Sequence, residues 1–223
     1  VMEVKKFYPS NGTVHFIKGA LKEYDPRFLE WDVPKDREVN GRTIKGSPTR
    51  GFGNKEFEYA GKLMTPEPWT AHSDILDILV EANKITKMAI ADEWGVTERK
   101  TFKGYDFCLV GLYRDGSESI PFHSDTVPDI DDLVFSVSFG ATRVFEWEQY
   151  ELDIKTHSNT SEVQFLDHKL GKVGYKVQKD MFLMEHGDVL IFDGNSQMQS
   201  RHAVPELLGQ GSSRINLTFR SGL

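Results

Sequence analysis

Two stretches of this chain carry side chains that could do chemistry together. His123-Ser124-Asp125 puts an imidazole and a carboxylate two residues apart. A strand's period of two would turn both to one side, able to hold one ion. His202, at the start of another strand-like segment far downstream, supplies a second imidazole. Two imidazoles and one carboxylate with open positions form a donor set that suits non-haem Fe(II). The second stretch is Arg214-Ile215-Asn216-Leu217-Thr218-Phe219-Arg220. Its polar and apolar residues alternate, so Arg214, Asn216, Thr218 and Arg220 share one face of a strand. Over six residues at ~3.3 Å rise the two arginines stand roughly 20 Å apart at the backbone, and two long side chains could converge on one small dianion. His72-Ser73-Asp74 repeats the His-x-Asp pattern, but at the start of a helical segment, where Ser or Asp is explained by capping.

The elements that must position these residues are mostly strands. Short segments punctuated by Gly, Asp or Pro run over Phe107–Tyr113, Ile120–His123, Leu133–Phe139, Val144–Trp147, Val173–Gln178, Met181–Glu185, Val189–Phe192, His202–Val204 and Ser213–Phe219. One good helix precedes them, Thr70 to Ala91, with an apolar stripe of Ile75, Leu76, Leu79, Val80, Met88 and Ile90. Gly19–Trp31 reads as a short helical or irregular lead-in and Arg42–Trp69 as short strands and turns. The series suggests a sandwich or jelly roll with helices packed outside one sheet.

Composition sets the bounds. At 223 residues, 39% of them hydrophobic, the chain can bury a real core, and one domain is the expectation. The single cysteine, Cys108, excludes an internal disulfide. No long apolar run and no signal-peptide core are present, so the reading is a soluble, intracellular protein without a membrane partner, expected as a monomer. The net charge of −7 argues against a wholesale grip on nucleic acid, yet Val39–Lys55 lacks Asp and Glu, and Arg42, Lys45, Arg50 and Lys55 make it basic. Its glycines and Pro48 suggest a mobile loop or hairpin with a basic edge.

Tyr113-Arg114-Asp115-Gly116, His123-Ser124-Asp125, Phe135 to Arg143, His186-Gly187-Asp188, His202 to Pro205 and Arg214 to Arg220 occur in the order and approximate spacing of AlkB-type dioxygenases, which use 2-oxoglutarate and Fe(II). The chain resembles that family from about Pro48 to Arg220. The resemblance implies an α+β fold: a double-stranded β-helix (jelly-roll) core over 101–223, a supporting helix at 71–100, and an N-terminal extension and substrate lid over about 1–70. It implies that His123, Asp125 and His202 hold iron. It also implies that Arg214 pairs with the distal carboxylate of 2-oxoglutarate, helped by Tyr113 and Asn216, with Arg220 near its other end. The chemistry implied consumes O2 and removes an N-methyl group from a base in DNA or RNA as formaldehyde. Such a base must leave the stack. Phe57-Glu58-Tyr59-Ala60-Gly61 resembles the family's lid; Tyr59 and His123 match its stacking pair, and the basic segment with Arg50 would meet phosphates.

Two positions depart from the family pattern. Gly111 stands where an asparagine is usual, and Val127 where repair enzymes often carry an acidic residue that reads the base's exocyclic amine. Glu148–Asp180 is also long; its Lys169, Lys172, Lys176 and Lys179 suit either a solvated hairpin or a second nucleic-acid strand. These features keep open an oxygenase of a protein side chain or small molecule, and a binding module without turnover.

Overall fold

A computed structural model describes residues 2–6, 13–26, 29–32, 34, 36–39, 41–44, 46–59, 62–93, 102–123, 133–152, 163–167, 172–193 and 200–222. In chain order the strands are β1 (Met2–Lys6), β2 (Thr13–Ile17), β3 (Arg37–Val39), β4 (Arg42–Ile44), β5 (Thr49–Gly53), β6 (Phe57–Tyr59) and β7 (Lys62–Met64), followed by helix α1 (Ser73–Glu93). After it come β8 (Phe107–Tyr113), β9 (Ile120–His123), β10 (Val134–Gly140), β11 (Arg143–Leu152), β12 (Val163–Asp167), β13 (Lys172–Met184), β14 (Val189–Asp193), β15 (Ser200–Val204) and β16 (Arg214–Arg220). Seven strands form a major sheet in the order β1-β2-β14-β10-β16-β8-β5, and five form a minor sheet in the order β12-β13-β11-β15-β9. Neighbours in both sheets run antiparallel. The β3–β4 and β6–β7 hairpins stand outside them.

The alternation of β16 explains how the layers assemble. Ile215, Leu217 and Phe219 join Phe135, Val137 and Phe139 of β10, Cys108 and Val110 of β8 and Ile75, Ile78, Leu79, Ala82 and Ala89 of α1 in one buried cluster. Their odd-even partners face the other way, toward a second cluster in which Tyr113, Val134 and Phe192 of the major sheet meet Phe145, Trp147, Phe182 and Val204 of the minor sheet. Two antiparallel sheets closed on each other in this manner make the jelly roll. Burial on that scale is worth roughly 1.5–3 kcal/mol per large apolar side chain. Cys108 lies in the first cluster, where burial pushes its thiol well above the ordinary range.

The helix stripe differs from the expected one. Val80 and Met88 are more than half exposed, and the buried ridge runs through Ile75, Ile78, Leu79, Ala82, Thr86 and Ala89. Thr86 is polar, but its hydroxyl pairs with that of Tyr105 at 2.8 Å, so it enters the core satisfied. The strand expected at Val173–Gln178 and the one at Met181–Glu185 are a single long strand, β13. The first residues of the chain are also not an appendage, because β2 pairs along β14 and extends the major sheet. His186-Gly187-Asp188 fastens that edge. Its imidazole accepts from the Gly140 amide at 3.1 Å and donates to the Lys22 carbonyl at 3.1 Å, while Asp188 accepts from the Gly19 amide at 2.6 Å. Gly187 has φ +81°, and a Cβ there would lie 2.4 Å from the Lys22 nitrogen.

Candidate active site

Between the sheets lies a cavity of about 300 Å³. Its major-sheet wall carries Leu109 and Tyr113 of β8, Ser136 of β10 and Arg214, Asn216, Thr218 and Arg220 of β16; the minor sheet contributes His123, Phe145, His202 and Val204. Strand pairing puts His202 of β15 directly opposite His123 of β9, and the two rings meet at 4.4 Å between centroids, inclined by 61°. Nδ1 of His123 lies 2.8 Å from the Pro121 carbonyl, which fixes the proton on that nitrogen and leaves the lone pair on Nε2. Flat surfaces flank His202. Phe145 stacks on it at 5.1 Å and Phe192 at 5.3 Å. Asp125 and Val127 lie outside the described residues.

The major-sheet wall of the cavity is cationic. Arg214 is 2% exposed, and its guanidinium lies 4.9 Å from the Tyr113 ring. One terminal nitrogen donates to the Ser138 hydroxyl at 2.7 Å and to the Asn216 carbonyl at 2.9 Å. Among the described residues Nε and the other terminal nitrogen have no acceptor. Burial lowers the pKa of Arg214, with Tyr113 opposing and Arg143 adding to the fall. A desolvated cation with unmet donors demands an anion. The Asn216 amide donates to Ser136 and Thr218 and accepts from Arg214, Ser136 and Ser138, so it holds the guanidinium in place.

Arg143 stands beside this site, its guanidinium 5.5 Å from the Tyr113 ring, although its motif gave no sign of a role. It is 1% exposed and donates to the backbone carbonyls of Asp115 at 3.2 Å, Glu118 at 2.6 Å and Pro205 at 2.7 Å. Those carbonyls flank the start of β9 and the end of β15, so one side chain ties together the ends of both histidine strands. Burial lowers its pKa too. Only the apolar neighbours Val144 and Phe145 could have hinted that the Arg143 position is inside.

Other expected substrate contacts stand elsewhere. Phe57 is buried and stacks on Phe107 at 4.3 Å with planes 10° apart, so it packs the β6 hairpin onto the sheet and does not line the cavity. Arg50 makes a two-pronged pair with Glu67 at 2.9 and 2.7 Å and donates to His72 Nε2 at 3.0 Å. It too is absent from the cavity wall. Tyr59 ends β6, and its side chain lies outside the described residues. Lys179 pairs with Glu146 at 3.2 Å on the outer face of the minor sheet.

Residues 2–220 match the 2OG-Fe(II) oxygenase superfamily. The chain belongs to that superfamily. Within this superfamily the AlkB-type resemblance is supported by sequence relatives. The alpha-ketoglutarate-dependent dioxygenase alkB homolog 3 of Bos taurus is 32% identical over 176 residues, which cover 78% of this chain and 50% of that protein. The homolog 3 of Mus musculus is 29% identical over 181 residues, with the same shares. The DNA oxidative demethylase ALKBH2 of Mus musculus is 25% identical over 210 residues, 93% of this chain and 70% of that protein. The chain thus spans about half the length of the homolog 3 proteins it matches. Superfamily membership implies Fe(II), 2-oxoglutarate and O2. The residues fit that set: two imidazoles stand on the minor-sheet side of the cavity, and a buried guanidinium with unmet donors stands on its major-sheet wall. No described helix is long and apolar enough to cross a membrane.

Proposed function

We propose that this chain is a 2-oxoglutarate- and Fe(II)-dependent dioxygenase that oxidatively demethylates N-alkylated bases in DNA or RNA. One observation carries the reading: a single cavity holds the His123–His202 pair and the unmet donors of Arg214. His123, Asp125 and His202 would hold Fe(II). When bound, the metal and 2-oxoglutarate supply the oxidising power for hydroxylating an N-methyl group with O2. The chain's own part is placement. Arg214, seated by Ser138 and Asn216, receives the distal carboxylate as a charge-assisted pair. Arg220 lines the same wall and adds a second cation, and Tyr113 packs against the Arg214 guanidinium. The aromatic flanks of His202 keep water from that ligand and fix its ring. The β6–β7 hairpin serves as the lid, with Tyr59 and His123 holding the flipped base. The names of the relatives, DNA demethylase among them, support a nucleic-acid target.

Anaerobic addition of Fe(II) and 2-oxoglutarate should give a weak visible charge-transfer band that vanishes in Asp125→Ala. Mass spectrometry of modified oligonucleotides incubated with iron, ascorbate and 2-oxoglutarate then identifies the substrate, and an inert panel would sink the nucleic-acid assignment. One observation favours a second reading, hydroxylation of a protein side chain or small molecule. The basic segment is partly neutralised within the fold, Arg50 by Glu67 and Lys55 by Asp106 at 3.4 Å. Affinity for methylated single-stranded oligonucleotide separates the two, since phosphate binding must weaken as salt rises.

A further inference from the structure

Leu109 and Tyr113 of β8 line the cavity, Cys108 and Val110 enter the core behind it, and the strand's alternation puts Gly111 on the same face as Leu109 and Tyr113. Across the ladder Gly111 faces Asn216, and Tyr113 faces Arg214. An ideal Cβ on Gly111 would meet no heavy atom of the described residues within 4 Å, and its backbone is not among those with positive φ. Neither close approach nor backbone conformation therefore requires glycine at this position, in contrast to Gly53, Gly116 and Gly187, where a Cβ would strike backbone at 2.4 Å or less. What glycine provides here is space. The facing side chain cannot swing in to fill it, because the Asn216 amide is held by Ser136, Ser138, Thr218 and Arg214.

We infer that Gly111 is a notch in the wall of the cosubstrate bed, sized for a small alkyl branch, which admits 2-oxo dicarboxylic acids methylated on the carbons between their carboxylates. The inference rests on the reading that Arg214 anchors a 2-oxo diacid. Unbranched 2-oxoglutarate leaves the notch to water, and a branch pointing toward β8 displaces that water into bulk. A side chain at position 111 occupies the same volume and excludes the branch.

The test is calorimetric binding to the Mn(II)-loaded protein, without turnover, of 2-oxoglutarate and its 3-methyl and 4-methyl derivatives. Wild type should bind at least one methyl derivative within about threefold of 2-oxoglutarate, and Gly111→Val should weaken that derivative at least about tenfold more than it weakens 2-oxoglutarate, the scale of one methylene in a filled pocket. Gly111→Ala should show the same direction with a smaller factor and serves if the valine variant misfolds. The notch is overturned if both methyl derivatives bind wild type more than about tenfold worse than 2-oxoglutarate, or if the variants weaken every ligand alike. Wild type that fails to bind 2-oxoglutarate itself overturns the underlying cosubstrate reading, and the notch with it.

Discussion

Two buried arginines lie against the Tyr113 ring, Arg143 at 5.5 Å and Arg214 at 4.9 Å, and the fold treats them in opposite ways. Both have lost their water, and burial lowers the pKa of each. Arg143 spends its two terminal nitrogens on three backbone carbonyls from separate parts of the chain, and among the described residues only its Nε lacks an acceptor. Arg214 has two hydroxyl or amide acceptors on one nitrogen and, among the described residues, none on the others. A buried cation whose two terminal nitrogens are both taken up by the backbone is part of the framework, whereas one with a terminal nitrogen still open in a cavity wall awaits a ligand. The two side chains are similar in type and burial, so the difference lies in what the surrounding chain leaves open.

Breaking each arginine in turn should give opposite profiles. Arg143→Met strands three carbonyls and should lower the unfolding free energy by about 3–5 kcal/mol in urea titrations. A loss under about 1 kcal/mol would mean that water replaces the guanidinium and that Arg143 is no clamp. Arg214→Met removes a desolvated charge together with only two acceptor contacts, so the ligand-free protein should stay within about 1 kcal/mol of wild type. Its affinity for 2-oxoglutarate should fall by about 3 kcal/mol, roughly a hundredfold. Thermal shifts read both effects at once: 2-oxoglutarate at about a hundred times its Kd adds ~2.7 kcal/mol to wild type, and that increment should disappear in Arg214→Met. A destabilised Arg214→Met that still responds to 2-oxoglutarate would reverse the two roles.

This contrast shows where sequence legibility ends. The alternation of Arg214 to Arg220 exposes a strand with one polar face, and β16 is that strand, with its apolar members in the core. β8 and β9 likewise coincide with the segments read from the pattern, because Gly, Asp and Pro punctuate both. Arg143 was opaque, since an arginine opening a strand ordinarily points to water, and its carbonyl partners lie 25 to 62 residues away. The Asn216 network was equally hidden, as its serines sit on β10, 78 and 80 residues earlier in the chain. β1 and β2 went unread because Lys5, Lys6 and His15 interrupt the apolar pattern, and only pairing with β14 reveals their place. Phe57 and Arg50 drew attention through a lid-like motif and a basic run; packing on Phe107 and pairing with Glu67 depend on tertiary neighbours.

The comparison sharpens at Asn216, which stands between the two states. Asn216→Ala removes one acceptor from Arg214 and lets the guanidinium tilt, with an expected cost of about 1 kcal/mol in 2-oxoglutarate affinity, five- to tenfold in Kd. Asn216→Asp should cost more, because a carboxylate beside Arg214 gives it the internal partner that Arg143 already has and competes with the cosubstrate. Titration calorimetry of both variants decides the point. If the aspartate variant binds 2-oxoglutarate better than the alanine variant, Arg214 is not the anchor.

The smallest effect is expected at a third arginine. Arg50 is half-buried, and its donors go to Glu67, His72 and the Glu30 carbonyl. In this it resembles Arg143 more than Arg214, except that its partner is a carboxylate open to solvent, for which pairing is worth about 1 kcal/mol or less. Arg50→Gln should therefore leave stability within about 1 kcal/mol of wild type and leave the salt dependence of oligonucleotide binding nearly unchanged. Were Arg50 to touch a phosphate, its loss would flatten the slope of log K against log salt by about 0.7–0.9. That result would place the nucleic-acid strand against β5 and require Glu67 to yield its partner on binding. In that case Glu67→Gln should strengthen oligonucleotide binding, because it releases the same guanidinium. An unchanged slope in both variants instead makes the pair a fastening between β5 and the segment leading into α1, and leaves the phosphates to other cations.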